Sequence, residues 1–202
     1  ERVVRKFYKE HFVNFDRQIV LADCLTPLNE GVDNFRDLQK AIEMIMESFN
    51  YGKSSLISRL FSPKIDKLLF AASKADHVTP EQHNNLISLF NQLIHSTKQH
   101  LGYEGVEMKT LALSSVKSTL AGKGKHNGEF IPVIRGYVDS PEKPVTLFPG
   151  EVPSLLPDAN YWENNQFNFI SFKPYQSIKE HQSLPHLRMD QALQFLLGDK
   201  MK

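Results

Sequence analysis

The chain has 202 residues, enough for one domain or one and a half, and its 41% apolar and 23% charged residues are typical of a globular protein. Its 24 lysines and arginines balance 23 acidic residues, so no overall charge directs it to nucleic acid or an anionic membrane. No apolar run approaches the ~18 residues of a membrane span. The single Cys24 cannot form a disulfide within the chain, which fits a reducing compartment.

Helices and strands alternate in the first part of the chain. Apolar residues at helical spacing predict an amphipathic helix from Val4 to Phe15. The run Ile19–Ala22 predicts a buried strand that ends at Asp23. Helical spacing then returns from Asp33 to Phe49, and again from Leu56 to Phe61.

A second and a third strand follow. The run Leu68–Ala72 carries no charge, which is typical of a strand buried on both faces of a parallel sheet. Next, Thr79-Pro80-Glu81-Gln82 predicts one helix to about Gly102, capped by Thr79 and closed by Gln82 into a capping box. Residues 106–113 predict the third strand, so the pattern favours a parallel sheet with helices on its faces.

The remainder of the chain has a different composition. Prolines concentrate beyond Thr119, where Glu129–Val138 and Val145–Phe148 predict short strands of a hairpin-like insertion. Lys123 and Lys125, among glycines, predict a mobile loop tip. A closing helix is predicted at Asp190–Leu197. We therefore divide the chain into an α/β domain (1–118), a Pro-rich insertion (119–180) and a closing helix that returns to the α/β domain (181–202).

The polar residues after the second and third strands form a candidate site, because ligands of open parallel sheets bind beyond the carboxyl ends of the strands. Asp76 can accept two parallel hydrogen bonds from guanine, while the methylene stem of Lys74 lies along the base. Ser73-Lys74-Ala75-Asp76 resembles the Asn/Thr-Lys-x-Asp motif of GTP-binding P-loop proteins. Ser114-Ser115-Val116-Lys117 resembles their Thr-Ser-Ala-Lys loop, in which the third residue, here Val116, donates its N–H to guanine O6.

For other polar residues, an ordinary structural role is an alternative to a functional one. A hydrophobic strand that ends in Asp23 is typical of a Walker B acid on Mg²⁺, but also of a plain strand-end cap. The histidines show no zinc-binding spacing, and we expect them at the surface or half-buried. Lys117, Lys123 and Lys125 lack interleaved aromatic residues, so a solvated loop is favoured over a nucleic-acid interface.

Longer segments resemble the YcjX family of bacterial stress-associated P-loop proteins. They are Asp16–Asn29, Leu60–Pro63, Lys74–Thr79, Phe148–Pro153 and Phe195–Lys200. The resemblance implies a GTPase-like doubly wound domain with extra helices and insertions. It also implies a bacterial protein that is cytoplasmic, with peripheral membrane association as a further option.

The phosphate loop of that family is missing from the expected place. A P-loop needs G-x-x-x-x-G-K-[ST] between a strand and a helix. Gly52-Lys53-Ser54 fits only its end, because Glu47 stands where the first glycine belongs and a helix precedes it. We therefore expect the phosphate loop upstream of Glu1, with this chain as the later half of a longer protein. A site that has decayed is the alternative. Asp23 is also not followed by the glycine of Asp-x-x-Gly, which puts a γ-phosphate switch in doubt.

The sequence therefore predicts an α/β protein with a doubly wound, mostly parallel sheet of the P-loop NTPase, GTPase-like type. We expect GTP or GDP as ligand, Mg²⁺ held through water by Asp23, and GTP hydrolysis by the intact protein, with no catalytic residue assigned. The alternative is a non-catalytic regulatory or scaffolding module, with residues 148–162 as its protein-partner surface. The candidate nucleotide-binding residues are Ser73, Lys74, Asp76, Ser115, Val116 and Lys117.

Overall fold

The computed structural model of the chain describes residues 15–48, 65–103, 105–138, 143–164, 166–174 and 183–201. The helix predicted from Val4 to Phe15 lies outside these ranges except for its last residue. The helical pattern Leu56–Phe61 and the Gly52-Lys53-Ser54 motif lie outside them entirely. Within them, the strands form two three-stranded sheets, one parallel and one antiparallel.

The parallel sheet consists of the three strands that the sequence predicts. Strand β1 (Arg17–Ala22) lies beside β2 (Lys67–Ala72), and β2 lies beside β3 (Glu107–Ala112). The register pairs Ala22 with Ala72 and Ala72 with Ala112, so all three strands end at the same edge of the sheet. The predicted parallel α/β architecture is thus confirmed, whereas the doubly wound arrangement stays a prediction.

The central strand β2 is buried on both faces, as its uncharged run predicts. Phe70 faces one core, which it shares with helices α2 (Val32–Ser48) and α3 (His83–Leu93); its ring meets that of Phe90 edge-on at 6.3 Å between centroids. Leu69 faces the opposite core, which it shares with helix α6 (Met189–Leu197). Because successive side chains of a strand point to opposite faces, helices cover the sheet on both sides.

The helix predicted from Thr79 to Gly102 is divided in two. A 3₁₀ turn (Pro80–Gln82) precedes α3, and α4 (His95–Tyr103) follows after Ile94 leaves helical dihedrals at φ −101° and ψ 14°. The predicted capping box is wrong. Thr79 makes no side-chain cap, and its buried Oγ1 has no hydrogen-bond partner within the part of the chain that the structure describes.

The antiparallel sheet follows the parallel one in the chain. Strands β4 (Thr119–His126) and β5 (Glu129–Gly136) form a hairpin, and β6 (Val145–Leu147) pairs with β5. The prediction of a loop tip at Lys123 and Lys125 is wrong, because both lie within β4. The turn is Asn127-Gly128, with φ of 48° and 89°. Positive φ at both central residues is what a two-residue hairpin turn requires.

The remaining helices are short. Helix α1 (Leu25–Glu30) follows shortly after β1, and α5 (Ala159–Asn164) lies between β6 and α6. Helix α6 confirms the closing helix predicted at Asp190–Leu197. None of the helices in the described ranges has the length and apolar character needed to cross a bilayer. At the amino ends of the strands, the Arg17 guanidinium forms ion pairs with Asp66 and with Asp199, which tie the end of the chain to β1.

Candidate functional site

The ends of the three parallel strands bring the predicted site residues together. Asp23 follows β1, Ser73–Asp76 follow β2, and Ser114 lies just beyond β3. Backbone hydrogen bonds join the three ends: the N–H of Ser73 donates to the carbonyl of Ala22 at 2.8 Å, and the N–H of Ala75 donates to the carbonyl of Leu113 at 3.2 Å. The loops after β1, β2 and β3 are therefore in direct contact.

The Asp23 carboxylate is fully engaged with the protein. One oxygen accepts the backbone N–H groups of Leu25 and Thr26 at 3.0 and 3.2 Å. The other accepts the Thr26 hydroxyl at 2.7 Å and pairs with Lys74 Nζ at 2.6 Å. Burial alone would raise the pKa of Asp23, but the hydrogen bonds from Lys74 and Thr26 outweigh it and hold the pKa below its usual range. In this conformation Asp23 joins β1 to the start of α1 and to the loop after β2.

Lys74 has an unusual backbone. Its φ of 56° and ψ of 30° lie in the left-handed region, which a residue other than glycine rarely adopts without surrounding contacts that hold it there. This conformation turns the chain sharply between β2 and Asp76 and places the ammonium group on Asp23. A strained non-glycine residue at a strand end is a feature that clusters at binding sites.

Asp76 is buried, with 5% of its surface exposed, and three protein donors surround its carboxylate. One oxygen accepts the hydroxyl of Ser114. The other accepts the backbone N–H groups of Ser118 at 2.6 Å and Thr119 at 3.1 Å. The Thr119 hydroxyl in turn donates to the Asp76 carbonyl. We call this set of contacts the Asp76 latch; it fastens the start of β4 to the loop after β2.

The loop Ser114–Lys117 is partly exposed. The hydroxyl that contacts Asp76 belongs to Ser114, while the predicted nucleotide-binding residue Ser115 faces solvent. Lys117 donates its N–H to the carbonyl of Pro185 at 2.7 Å, so the segment before α6 holds this loop from outside. The backbone N–H of the half-buried Val116 donates no hydrogen bond within the described ranges, so this donor is available to a ligand.

Two buried histidines lie behind the site. The sequence predicts surface or half-buried positions for every histidine of the chain, so the prediction is wrong for these two. His83 donates from Nε2 to the carbonyl of Ala75 at 2.8 Å, and its Nδ1 accepts from Arg188 at 3.0 Å. His77 packs edge-on against Phe172 at 5.4 Å between ring centroids. Sequence reasoning did not identify Arg188 or His83 as supports of the site, because the two are far apart in the chain and form no motif.

Acid should destabilise this support. Burial lowers the pKa of His77, and burial together with the Arg188 charge lowers that of His83. Both folded-state pKa values thus lie below the unfolded value of about 6.5. A lowered histidine pKa gives stability that is complete above the unfolded value and is lost as the pH falls below it. We expect urea denaturation to give a smaller free energy of unfolding at pH 5.5 than at pH 8.

The control for this prediction is a pair of glutamine variants. His83→Gln should reduce the difference between the two pH values, whereas substitution of the exposed His126 by Gln should preserve it. Equal free energies of unfolding at both pH values in the wild-type protein would contradict the assignment of neutral buried histidines.

The fit to a metal ion is limited in this conformation. Within the described ranges, no group of three or more His, Cys, Asp or Glu side chains is arranged to hold a metal. Asp23 already carries four donors, one of them the Lys74 ammonium. Mg²⁺ usually takes only one or two protein carboxylates, with waters and substrate phosphates as its other ligands. Asp23 would therefore need to release Lys74 before it could serve in that role.

Residues 148–162, which the sequence predicts as a partner surface, form a Pro-rich segment that lies along α3. Side-chain amides of α3 and of the 3₁₀ turn before it bind the backbone of this Pro-rich segment. Gln82 donates to the carbonyl of Gly150 at 2.7 Å and accepts the N–H of Val152 at 2.5 Å. Gln92 makes the same two kinds of hydrogen bond to residues 154 and 156, at 2.7 and 3.0 Å. We call these two contacts the Gln82 clamp and the Gln92 clamp.

Only part of residues 148–162 faces solvent. Trp162 packs against Phe35 at 6.0 Å between ring centroids and donates its indole N–H to the carbonyl of Leu28, so it belongs to the core. Leu155 is 68% exposed, and Phe148 and Tyr161 are each 42% exposed. A protein partner on this side of the segment stays a prediction.

A parallel sheet with helices on both faces and a polar cluster at its carboxyl edge defines a mixed α/β protein, compatible with a P-loop-like fold. Comparison with known sequences makes the assignment more specific. Residues 1–201 match the YcjX-like family, DUF463, so the chain belongs to that family, as its segments predict.

Two curated relatives carry the name "Ras-like GTPase YcjX". The protein of Escherichia coli strain K12 is 51% identical over 202 residues, which cover 100% of this chain and 43% of the relative. The protein of Shewanella oneidensis strain MR-1 is 43% identical over 204 residues, which cover 100% of this chain and 42% of the relative. The chain thus spans less than half the length of these relatives.

Proposed function

We propose that the whole protein binds guanine nucleotides and that this chain supplies the base-binding end of the site. The observation that carries the proposal is the hydrogen bond between Ser114 and the Asp76 carboxylate, because it joins the two loops that resemble guanine-recognition loops. Their position beyond the carboxyl ends of parallel strands is the usual place for a ligand in such a sheet. The name "Ras-like GTPase" of two full-chain relatives supports the same class of ligand.

Each residue has a chemical role in the proposal. The Asp76 carboxylate accepts the ring N–H and the exocyclic amine of guanine, which is the selective contact. The N–H of Val116, which is not engaged by the described residues, donates to guanine O6. Lys74 lays its stem along the base, for which its ion pair with Asp23 must open. Ser73 belongs to the loop after β2, and Ser115 and Lys117 belong to the loop after β3.

We further propose that the whole protein hydrolyses GTP. Mg²⁺ would enter with the nucleotide phosphates and neutralise their charge. In this chain, Asp23 is the residue that would hold the metal through water, once Lys74 has moved to the base. The exchange of Lys74 between Asp23 and the base would then link base binding to metal binding.

The test is calorimetry of the whole protein with GDP, GTP, ADP and ATP, each with and without Mg²⁺. We expect the guanine nucleotides to bind at least about tenfold more tightly than the adenine nucleotides, since a site built to hydrogen-bond a donor group rejects analogues that lack it. Equal binding of ADP and GDP, or no binding of either, would refute the proposal. Release of phosphate from GTP then separates a hydrolase from the regulatory alternative, in which GTP binds without turnover.

A further inference from the structure

We propose that the guanine base and the start of β4 compete for the Asp76 carboxylate, so that nucleotide binding opens the Asp76 latch. The inference rests on the proposed function and concerns the regulation of the same site. It assigns to the antiparallel sheet β4–β5–β6 a response to nucleotide that does not depend on sensing the γ-phosphate.

The competition follows from a count of acceptor positions. An ionised carboxylate offers about four lone-pair positions, two on each oxygen. Among the residues that the structure describes, one Asp76 oxygen accepts only the Ser114 hydroxyl and keeps one position open. The other accepts the N–H groups of both Ser118 and Thr119 and has none left. Guanine needs one position on each oxygen, so it must displace at least one of these two amides.

Displacing one amide affects more than a single hydrogen bond. Ser118 and Thr119 are buried, and the Thr119 hydroxyl fastens the same residue to the Asp76 carbonyl. Thr119 is also the first residue of β4, where it pairs with Gly136 at the end of β5. A movement at Thr119 is therefore passed to the hairpin through the strand pairing. Because Asp76 is the common partner, the bound base and the complete Asp76 latch exclude each other.

Such coupling is reciprocal. If nucleotide weakens the latch, then a weaker latch must strengthen nucleotide binding, at most by the factor by which the latch is weakened. The Thr119 hydroxyl offers a way to weaken the latch without changing any group proposed to touch the base. Thr119→Val removes the hydrogen bond to the Asp76 carbonyl and leaves the carboxylate and the loop Ser114–Lys117 unchanged. Thr146→Val in β6 is the matched control, because Thr146 is exposed and lies in the same sheet.

The first experiment is calorimetry of the whole protein with GDP as the probe. We expect Thr119→Val to bind GDP about two- to tenfold more tightly than wild type, since one hydrogen bond typically changes an equilibrium constant by this factor. Thr146→Val should bind like wild type. Equal or weaker binding by Thr119→Val would overturn the latch.

The second experiment needs no variant and applies even if Thr119→Val fails to fold. Hydrogen–deuterium exchange of the wild-type protein should become faster at Ser118, at Thr119 or at both on saturation with GDP, while residues 107–112 of β3 should not become faster. Unchanged or slower exchange at Ser118 and Thr119, with GDP bound, would overturn the latch and leave the proposed function intact. Absence of GDP binding by calorimetry would instead overturn the proposed function, and the latch with it.

Discussion

Replacement of Asp76 by Asn in the whole protein should weaken GTP binding by about tenfold or more and should raise the relative affinity for xanthosine triphosphate. The carboxylate accepts two donors of guanine, and both hydrogen bonds are charge-assisted. An amide keeps one acceptor but presents an N–H group to the other guanine donor. Xanthine has a carbonyl in place of the exocyclic amine, so its edge matches the amide.

The consequences for folding differ between two substitutions of Asp76. In Asp76→Asn, the amide oxygen can accept the N–H groups of Ser118 and Thr119 while the amide nitrogen donates to the Ser114 oxygen. We therefore expect this variant to fold. Asp76→Ala leaves the two buried N–H groups without an acceptor, which typically costs about 1–3 kcal/mol for each group. The asparagine variant thus tests recognition of the base, and the alanine variant tests the latch as a structural contact.

The measurement is calorimetry with GTP, xanthosine triphosphate and ATP, together with thermal unfolding of each variant. Asp37→Asn serves as the control, because Asp37 lies on α2 with 73% of its side chain exposed. ATP should bind poorly to all variants. If Asp76→Asn folds and keeps the GTP affinity of wild type, the loop after β2 is only a strand end and Asp76 does not read the base.

The parallel sheet could be predicted because local patterns specify it. The run Leu68–Ala72 has no polar position, and every residue in it is fully buried in the structure. A strand can lack polar positions only when both its faces are covered, so the sequence indicated a central strand with helices on either side. The shared edge of Asp23, Asp76 and Ser114 followed, because parallel strands end on the same side. These predictions needed no knowledge of contacts between distant residues.

The partners of the site residues could not be predicted in this way. Gln82 has the position of a capping-box residue, but its amide binds the backbone of Gly150 and Val152, which are distant in the chain. Likewise, one oxygen of Asp76 accepts the N–H groups of Ser118 and Thr119, which lie at the predicted boundary between the α/β domain and the insertion. Long-range hydrogen bonds of this kind leave no periodic signal.

One missed element did have a local signal. The strand β4 contains glycines and lysines, so its composition favoured a loop. The dipeptide Asn127-Gly128 is, however, the strongest short-range sign of a two-residue hairpin, and both residues adopt positive φ in the structure. A two-residue turn at Asn127-Gly128 implies that the residues before it, including Lys123 and Lys125, form a strand paired with β5.

A large loss of stability is expected when the Gln82 clamp is removed by substitution. Gln82 is only 8% exposed, and its contact with the Val152 N–H is buried. Gln82→Ala removes one donor and one acceptor, and the backbone groups of Gly150 and Val152 lose their partners where water has little access. We expect the free energy of unfolding to fall by about 2 kcal/mol or more in urea denaturation of the whole protein.

Gln92→Ala is a matched control, because the Gln92 clamp has the same two kinds of hydrogen bond but lies at the surface. Water can replace the lost partners there, so the expected decrease is about 0.5 kcal/mol or less. Hydrogen–deuterium exchange should become faster near Val152 in Gln82→Ala, and near residue 156 in Gln92→Ala. Equal losses of stability in the two variants would mean that burial does not set the strength of these clamps, and that the Pro-rich segment is held along α3 by its apolar contacts instead.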